Sequence, residues 1–136
     1  MALLDSIGSE VELFYRSYIE SFNRGDAAAM LPYLAVPFVM VSGAKATGFD
    51  DEKAVVGLYD SMCVGMRADN WTHSTVEVTL AGAHGAILIV TEARIRADGS
   101  ESTRGKACYS LQLYPDGNWR VAAIIADFQG DSSAIK

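Results

Sequence analysis

The sequence is poor in basic residues and contains no long apolar run, and each shortage excludes a class of protein. Eleven Lys and Arg residues against 17 Asp and Glu residues give a formal net charge of −6. This argues against nucleic acid or an anionic membrane as a partner, because both need concentrated positive charge. No apolar run approaches the ~20 residues that span a bilayer. The apolar start is interrupted at Asp5 and is too short for a signal peptide. We therefore expect a cytoplasmic protein that binds neither nucleic acid nor membrane.

Cysteine and histidine are also scarce, and their positions argue against a metal site. Cys63 and Cys108 stand alone, without metal-binding or redox spacing, and the two histidines have no carboxylate cluster spaced around them. The sequence predicts two reduced thiols, no metal and no cofactor.

The length and composition are those of a single globular domain. The chain has 136 residues, half of them apolar and about a fifth charged, so it is long enough to bury roughly two-thirds of its unfolded surface. We predict one domain over 1–136, with an ordered core over about 9–128 and a polar tail after it.

Helical periodicity dominates the first half of the chain. A capping-box pattern, Ser9 with Glu12, precedes a buried stripe, and Gly25 ends this first helix. The stripe consists of Val11, Phe14, Tyr15, Tyr18 and Phe22. Asp26 caps a short second helix that contains Pro32. A third helix follows Asp50 or Asp51 and reaches about Arg67.

The second half alternates with a period of two, which is typical of strands. A short strand over 37–41 and its return over 46–48 precede the third helix. Long strands follow over about 71–80, 86–96, 103–114 and 119–128, with hairpin signals at 97–100 and 115–118. The switch in period near residue 70 predicts an α+β fold.

Two of these strands are apolar on both faces, around Ile87 to Val90 and Ala122 to Ala126. Helices cover only one face of such a sheet, so the other face needs a partner. We predict a homodimer formed through the outer face of the sheet, which also includes Leu111 to Leu113.

The order of elements resembles the nuclear transport factor 2-like superfamily. The resemblance rests on Tyr18-Ile19-Glu20 with Gly25-Asp26 after it, on Gly48 before the third helix, and on the hairpin over 116–121. It covers about 9–128, and the chain also resembles the SnoaL-like and ketosteroid isomerase-like members. It implies a cone-shaped, curved, mixed and mostly antiparallel sheet packed on three N-terminal helices.

Ketosteroid isomerases of that superfamily carry a tyrosine that matches Tyr18. Their general base, an aspartate, corresponds to Ser42 here, and their second hydrogen-bond donor falls near Tyr109 or Ser110. Because serine cannot abstract a carbon-bound proton without a base beside it, steroid isomerisation is not expected.

The candidate catalytic residues are Tyr18 and Asp127. Tyr18 lies in the middle of the helix stripe that must face the sheet. Asp127 has the strand parity of Trp119, Val121 and Ile125, which predicts that it faces the same cavity unless a bulge reverses the parity. The predicted ligand-binding residues are Phe14, Phe38, Met40, Leu58, Met62, Trp71 and His73.

The charged residues of the 97–100 hairpin have a simpler explanation. We interpret Glu92, Arg94, Arg96, Glu101, Arg104 and Lys106 as cross-strand ion pairs on a solvated face.

Two classes of function are consistent with these patterns. The first is an enzyme that acts on a small apolar molecule without a cofactor, of the isomerase, cyclase, dehydratase or hydrolase type. The alternative is a non-catalytic ligand-binding protein or a dimeric association module. A titratable group facing a deep pocket favours the enzyme, whereas a dry apolar cavity or a filled core favours the alternative.

Overall fold

The computed structural model describes residues 2–43, 45–64 and 70–130, with the side chains of these residues except 2–5, 64, 70–74 and 128–130. Its elements in chain order are α1 (Ala2–Asn23), a 3-10 helix (Ala28–Tyr33), β1 (Leu34–Ser42), β2 (Lys45–Phe49), α2 (Glu52–Val64), β3 (Asn70–Ala81), β4 (Gly85–Ile95), β5 (Glu101–Leu113) and β6 (Trp119–Gly130).

The six strands form one sheet in the order β2–β1–β6–β5–β4–β3. The β1–β6 pair is parallel, and the other four pairs are antiparallel. The helices pack on the sheet, and one core of buried apolar side chains lies between them. This confirms the predicted α+β class with a mixed, mostly antiparallel sheet.

The first helix starts earlier than predicted. α1 begins at Ala2, so Ser9 and Glu12 lie inside the helix and do not form a capping box. Glu12 instead accepts a hydrogen bond from the Arg16 guanidinium at 2.8 Å, one turn further along the helix. The pattern of Ser9 with Glu12 is ambiguous, because a glutamate can also form an ion pair with a basic residue four positions later in the same helix.

The second predicted helix is short, as expected, and is a six-residue 3-10 helix, so two of the three described helices are α-helices. Pro32 lies within it, and a proline cannot supply the backbone N–H that a longer α-helix needs. The N-cap residue of this helix is Ala27 and not the predicted Asp26, although the Asp26 carboxylate accepts a long hydrogen bond from the Ala29 backbone N–H at 3.4 Å. Asp51 caps α2 through the Ala54 N–H at 2.8 Å. The predicted end of the last helix near Arg67 lies outside the described residues.

The turns follow the sequence closely. Gly25 ends α1 with a φ of +76°, and Gly117 turns the β5–β6 hairpin with a φ of +86°, values that side chains with a Cβ rarely adopt. The Asp116 carboxylate accepts the Asn118 N–H at 2.9 Å in the same hairpin. These local interactions fix the register of β5 against β6.

A bulge at Ala122 reverses the parity of β6. Leu111 of β5 lies opposite Val121, whereas Ser110 lies opposite Ala123, so Ala122 is an extra residue. Before the bulge, Trp119 and Val121 are buried, and after it Ile124 and Ala126 are buried. Residues 123–127 therefore face the opposite side from the one that simple alternation predicts.

Among the described residues, no helix is both long enough and apolar enough to pass through a membrane.

Candidate active site

The centre of the candidate site is Glu92, a carboxyl group on the inner face of the sheet. β4 alternates, and its inward positions Ala86, Leu88 and Val90 are buried in the core. Glu92 is the next inward position, and only 4% of it is exposed. The strand period thus carries an ionisable side chain into the core, where an unpaired charge is costly.

Two tyrosine hydroxyls donate hydrogen bonds to the same oxygen of Glu92. The Tyr15 hydroxyl, from α1, donates to Glu92 Oε2. The Tyr109 hydroxyl, from β5, donates to the same atom at 2.9 Å. The two aromatic rings meet edge to face, with centroids 5.2 Å apart. Helix and sheet together therefore hold the carboxyl group in one position.

Burial and hydrogen bonding act on the Glu92 carboxyl group in opposite directions. Burial disfavours the charged form and raises the pKa, whereas the hydrogen bonds from Tyr15 and Tyr109 stabilise the carboxylate and lower it. Burial dominates and raises the pKa of Glu92 from 4.5 to about 7. Both protonation states are therefore populated near neutral pH, as an acid–base group requires.

A second pair of tyrosines lies next to this cluster. The hydroxyl oxygens of Tyr18 on α1 and Tyr59 on α2 are 2.7 Å apart. The Tyr18 and Tyr109 rings meet edge to face at 5.6 Å, which joins the pair to Tyr109 beside Glu92. Burial raises the pKa of both Tyr18 and Tyr59, so both phenols are neutral at ordinary pH. One hydroxyl donates to the other, and the acceptor's own hydrogen remains as a donor for another group.

The structure does not bring Tyr18 and Asp127 together. Asp127 lies after the Ala122 bulge, is exposed, and pairs in register with the exposed Lys106 on the outer face. The prediction that Asp127 faces the interior is therefore wrong, and the physical reason is the bulge. Tyr18 is buried, as predicted, but its hydroxyl contacts Tyr59. Its catalytic role stays a prediction.

The predicted ligand-binding residues have three different outcomes. Phe38, Met40 and Met62 are buried in the core, and Phe14 and Leu58 are partly buried against it. The side chains of Trp71 and His73 lie outside the described residues. A cavity of about 520 Å³ lies elsewhere, and none of the predicted residues lines it. Its lining consists of Leu31, Pro32, Leu34, Val36, Glu52, Tyr114 and Arg120.

The sequence interpretation also misplaced Glu92 and Arg94 among the solvated ion pairs of the hairpin. Glu101 and Arg104 do form an exposed ion pair, at 2.7 Å, but it lies within β5 and does not connect two strands. Glu92 and Arg94 are instead buried. The signal that identifies Glu92 is its parity, because it continues the inward series of Leu88 and Val90. No local sequence pattern identifies the hydrogen-bond partners of Glu92, since Tyr15 is 77 residues away.

No group of three or more His, Cys, Asp or Glu side chains within the described part of the chain is arranged to hold a metal ion. The chemistry available to the described site is therefore that of one carboxyl group and four phenols.

Residues 9–128 match the family described as NTF2-like protein (DUF6841). Among solved structures, an NTF2-like protein with a cystatin-like fold from Novosphingobium aromaticivorans is 14% identical, with a TM-score of 0.75. That match covers 98% of this chain and 89% of the other. A proposed dehydratase of the NTF2-like family from Streptomyces avermitilis is 17% identical, with a TM-score of 0.73 and coverage of 93% and 96%.

The yeast UBP3-associated protein BRE5 is similar in fold as well, at 12% identity, a TM-score of 0.73 and coverage of 89% and 95%. Identities this low show a shared fold and no more. No curated protein matches this chain significantly.

Proposed function

This chain belongs to the NTF2-like protein family (DUF6841), and we propose that it is an enzyme that acts on a small apolar molecule by acid–base catalysis, without a cofactor. The observation that carries the proposal is the Glu92 carboxyl group, buried in the core between two tyrosine hydroxyls with a pKa of about 7. Strongly perturbed carboxyl groups of this kind are concentrated at active sites. The fold is shared with a proposed dehydratase of the NTF2-like family, so the scaffold is compatible with an enzymatic role.

The cluster supplies the parts that proton transfer at carbon requires. The Glu92 carboxylate takes a proton from the carbon beside a substrate carbonyl group, and the carbonyl oxygen becomes an enolate oxygen. Protonation removes the negative charge that strengthened the hydrogen bonds from Tyr15 and Tyr109. Their hydroxyl groups can then donate to the enolate oxygen, while the Glu92 carboxyl group returns the proton to another carbon.

Access to the carboxyl group sets a requirement on the substrate. With Glu92 only 4% exposed, the substrate must be small, and the side chains that cover Glu92 must move when it binds. An apolar substrate suits this site because the surrounding side chains are aromatic and aliphatic.

Isomerisation of a β,γ-unsaturated cyclohexenone tests the proposal directly, because the conjugated product absorbs in the ultraviolet. We expect wild-type protein to catalyse the conversion and Glu92→Gln to lose about a hundredfold or more in rate. The matched control is Glu77→Gln, which changes an exposed glutamate on the neighbouring strand β3. A β-hydroxyketone and an epoxide test dehydration and hydrolysis with the same variants. Equal rates for wild type and Glu92→Gln, or no turnover of any of the three probes, would contradict the proposal.

We also propose that the protein forms a homodimer through the outer face of its sheet. Leu80 and Ile125 are exposed there by 54% and 51%. Ile125 lies in register with Val41 on one side and Cys108 on the other, and Cys108 lies opposite Ile89. This row of apolar side chains crosses four neighbouring strands on the face away from the helices, which favours association.

The dimer is tested by light scattering of Ile125→Lys at micromolar concentration. We expect a dimer for wild type and a monomer for the variant. Leu13→Lys is the matched control, because Leu13 is an exposed leucine on α1 and not on the sheet. A wild-type monomer, or an Ile125→Lys dimer, would refute this arrangement. The association module without catalysis remains the second candidate function, and a dimer without turnover of any probe would favour it.

A further inference from the structure

The cavity of about 520 Å³ is separate from the acid–base cluster and from the apolar row on the outer face of the sheet. Its lining comes from the 3-10 helix, the start of β1, the start of α2, the turn after β5 and the start of β6. No residue of the Glu92 cluster and no residue of the apolar row contributes to it. Small-molecule sites have volumes of roughly 300–1,000 Å³. The cavity is therefore large enough to be a second ligand site.

Arg120 brings a positive charge to this cavity, and its contacts position the side chain without using most of its donors. The guanidinium carbon lies 4.5 Å from the centre of the Tyr114 ring, a cation–π contact. Nη1 donates a long hydrogen bond of 3.4 Å to the Leu34 carbonyl oxygen. Nη2 lies 3.6 Å from the Asp116 carboxylate, which is too far for a hydrogen bond. Nε is buried and has no hydrogen-bond partner in the described part of the chain.

The guanidinium group of Arg120 is therefore short of acceptors. A guanidinium has five N–H donors, and the contacts above place one of them at hydrogen-bond distance from an acceptor. Partly buried donors normally have partners in the protein or in a bound molecule. A carboxylate is the acceptor that matches a guanidinium best, because it accepts two parallel hydrogen bonds.

Glu52 brings a negative charge to the same cavity from the first turn of α2. Its side chain is exposed, and within the residues that the structure describes it forms no ion pair with Arg120. Asp116, the acid that does pair with Arg120, is not part of the lining and accepts the Asn118 N–H. Two opposite charges thus line one cavity without meeting, which favours a ligand that carries both charges.

Most of the remaining lining is apolar. Leu31 and Pro32 come from the 3-10 helix, and Leu34 and Val36 come from β1. Tyr114 adds an aromatic ring, one side of which is in contact with the guanidinium group. A ligand gains affinity from these side chains only if it has an apolar body to bury against them.

We propose that this cavity binds a small zwitterion with an apolar side chain, of the kind represented by a free amino acid. The ligand carboxylate binds Arg120, and its ammonium group lies towards Glu52. This inference goes beyond the proposed function and does not depend on it, because the cavity and the acid–base cluster share no residue. Arg120 and Glu52 act as specificity-determining residues for the two ends of the ligand.

Three probes with the same phenyl body test the inference by calorimetry, without turnover. L-Phenylalanine carries both charges, 3-phenylpropanoate lacks the ammonium group, and 2-phenylethylamine lacks the carboxylate. We expect wild-type protein to bind phenylalanine about tenfold or more tightly than either analogue. Arg120→Met should remove the preference over 2-phenylethylamine, because the variant has no partner for the carboxylate. Glu52→Gln should remove the preference over 3-phenylpropanoate and leave the other preference in place.

Arg24→Met and Glu77→Gln are the matched controls, because both change exposed residues that do not line the cavity. Both should bind the three probes as wild type does. Equal binding of the three probes by wild type, no binding of phenylalanine at millimolar concentration, or preferences that Arg120→Met and Glu52→Gln leave unchanged would overturn the inference. If Arg120→Met does not fold, the wild-type preferences and the Glu52→Gln result decide the question. Turnover by the Glu92 cluster does not enter these measurements, so the two proposals fail separately.

Discussion

Replacing Glu92 with glutamine should change how the stability of the protein depends on pH. The folded protein holds the Glu92 proton more tightly than the unfolded chain does, because burial raises the pKa from 4.5 to about 7. Below pH 4.5, the protonated Glu92 carboxyl group therefore makes its full contribution to the stability of the folded state. This contribution is lost as the pH rises from 4.5 to about 7, and it is absent above that range.

The size of the effect follows from the two pKa values. The difference between 4.5 and about 7 corresponds to about 3 kcal/mol of unfolding free energy. Glutamine has the shape of protonated glutamic acid and does not titrate, so the variant lacks this contribution to the pH dependence. We expect the stability of wild type relative to Glu92→Gln to fall by about 3 kcal/mol between pH 4.5 and pH 7.5.

Urea unfolding of wild type and of Glu92→Gln at several pH values measures the difference between their unfolding free energies. Comparing the variants at each pH cancels the contributions of all other titrating groups, provided that the Glu92→Gln core is intact. Glu77→Gln, on the exposed face of β3, serves as the control and should follow wild type throughout. The quantity to compare is the unfolding free energy of wild type minus that of Glu92→Gln. If this difference stays constant with pH, or increases as the pH rises, the reasoning is refuted.

Three further predictions concern the tyrosines and Asp127. Tyr15→Phe and Tyr109→Phe each remove a hydrogen bond that stabilises the Glu92 carboxylate, so each should raise the pKa of Glu92. An NMR titration of carboxyl-labelled protein measures this pKa, and a lowered value would contradict the role given to these two hydroxyl groups. Tyr18→Phe and Tyr59→Phe should each cost about 1 kcal/mol by leaving a buried hydroxyl without its partner, and the double variant should cost less than the sum of the two. Asp127→Asn should leave the turnover of the cyclohexenone probe unchanged, because the carboxylate lies outside the core; a loss comparable to that of Glu92→Gln would restore Asp127 as the acid–base group.

The fold could be predicted from the sequence because its determinants are local. The spacing of Val11, Tyr15 and Tyr18 requires a helix with one buried face, and all three side chains are buried. The glycines at 99 and 117 require turns, and both have positive φ. The change of period near residue 70 predicts the long strands, and β3 begins at Asn70. These features depend on residues within a few positions of one another, so a single sequence contains enough information to predict them.

The candidate site depends on contacts that local patterns do not encode. Tyr18 and Tyr59 are 41 residues apart, and Tyr15 and Glu92 are 77 residues apart. Only the tertiary packing brings them into contact, by placing α1 beside α2 in the first case and on the sheet in the second. The bulge at Ala122 decides that Asp127 faces outward, and it arises from the register between β5 and β6. The sequence alone determined which residues form helices, strands and turns, since side-chain period and backbone preference are local properties. Only the tertiary structure decided which carboxyl group is buried and which phenols it meets, because burial and hydrogen bonding between distant segments arise when the helices pack on the sheet.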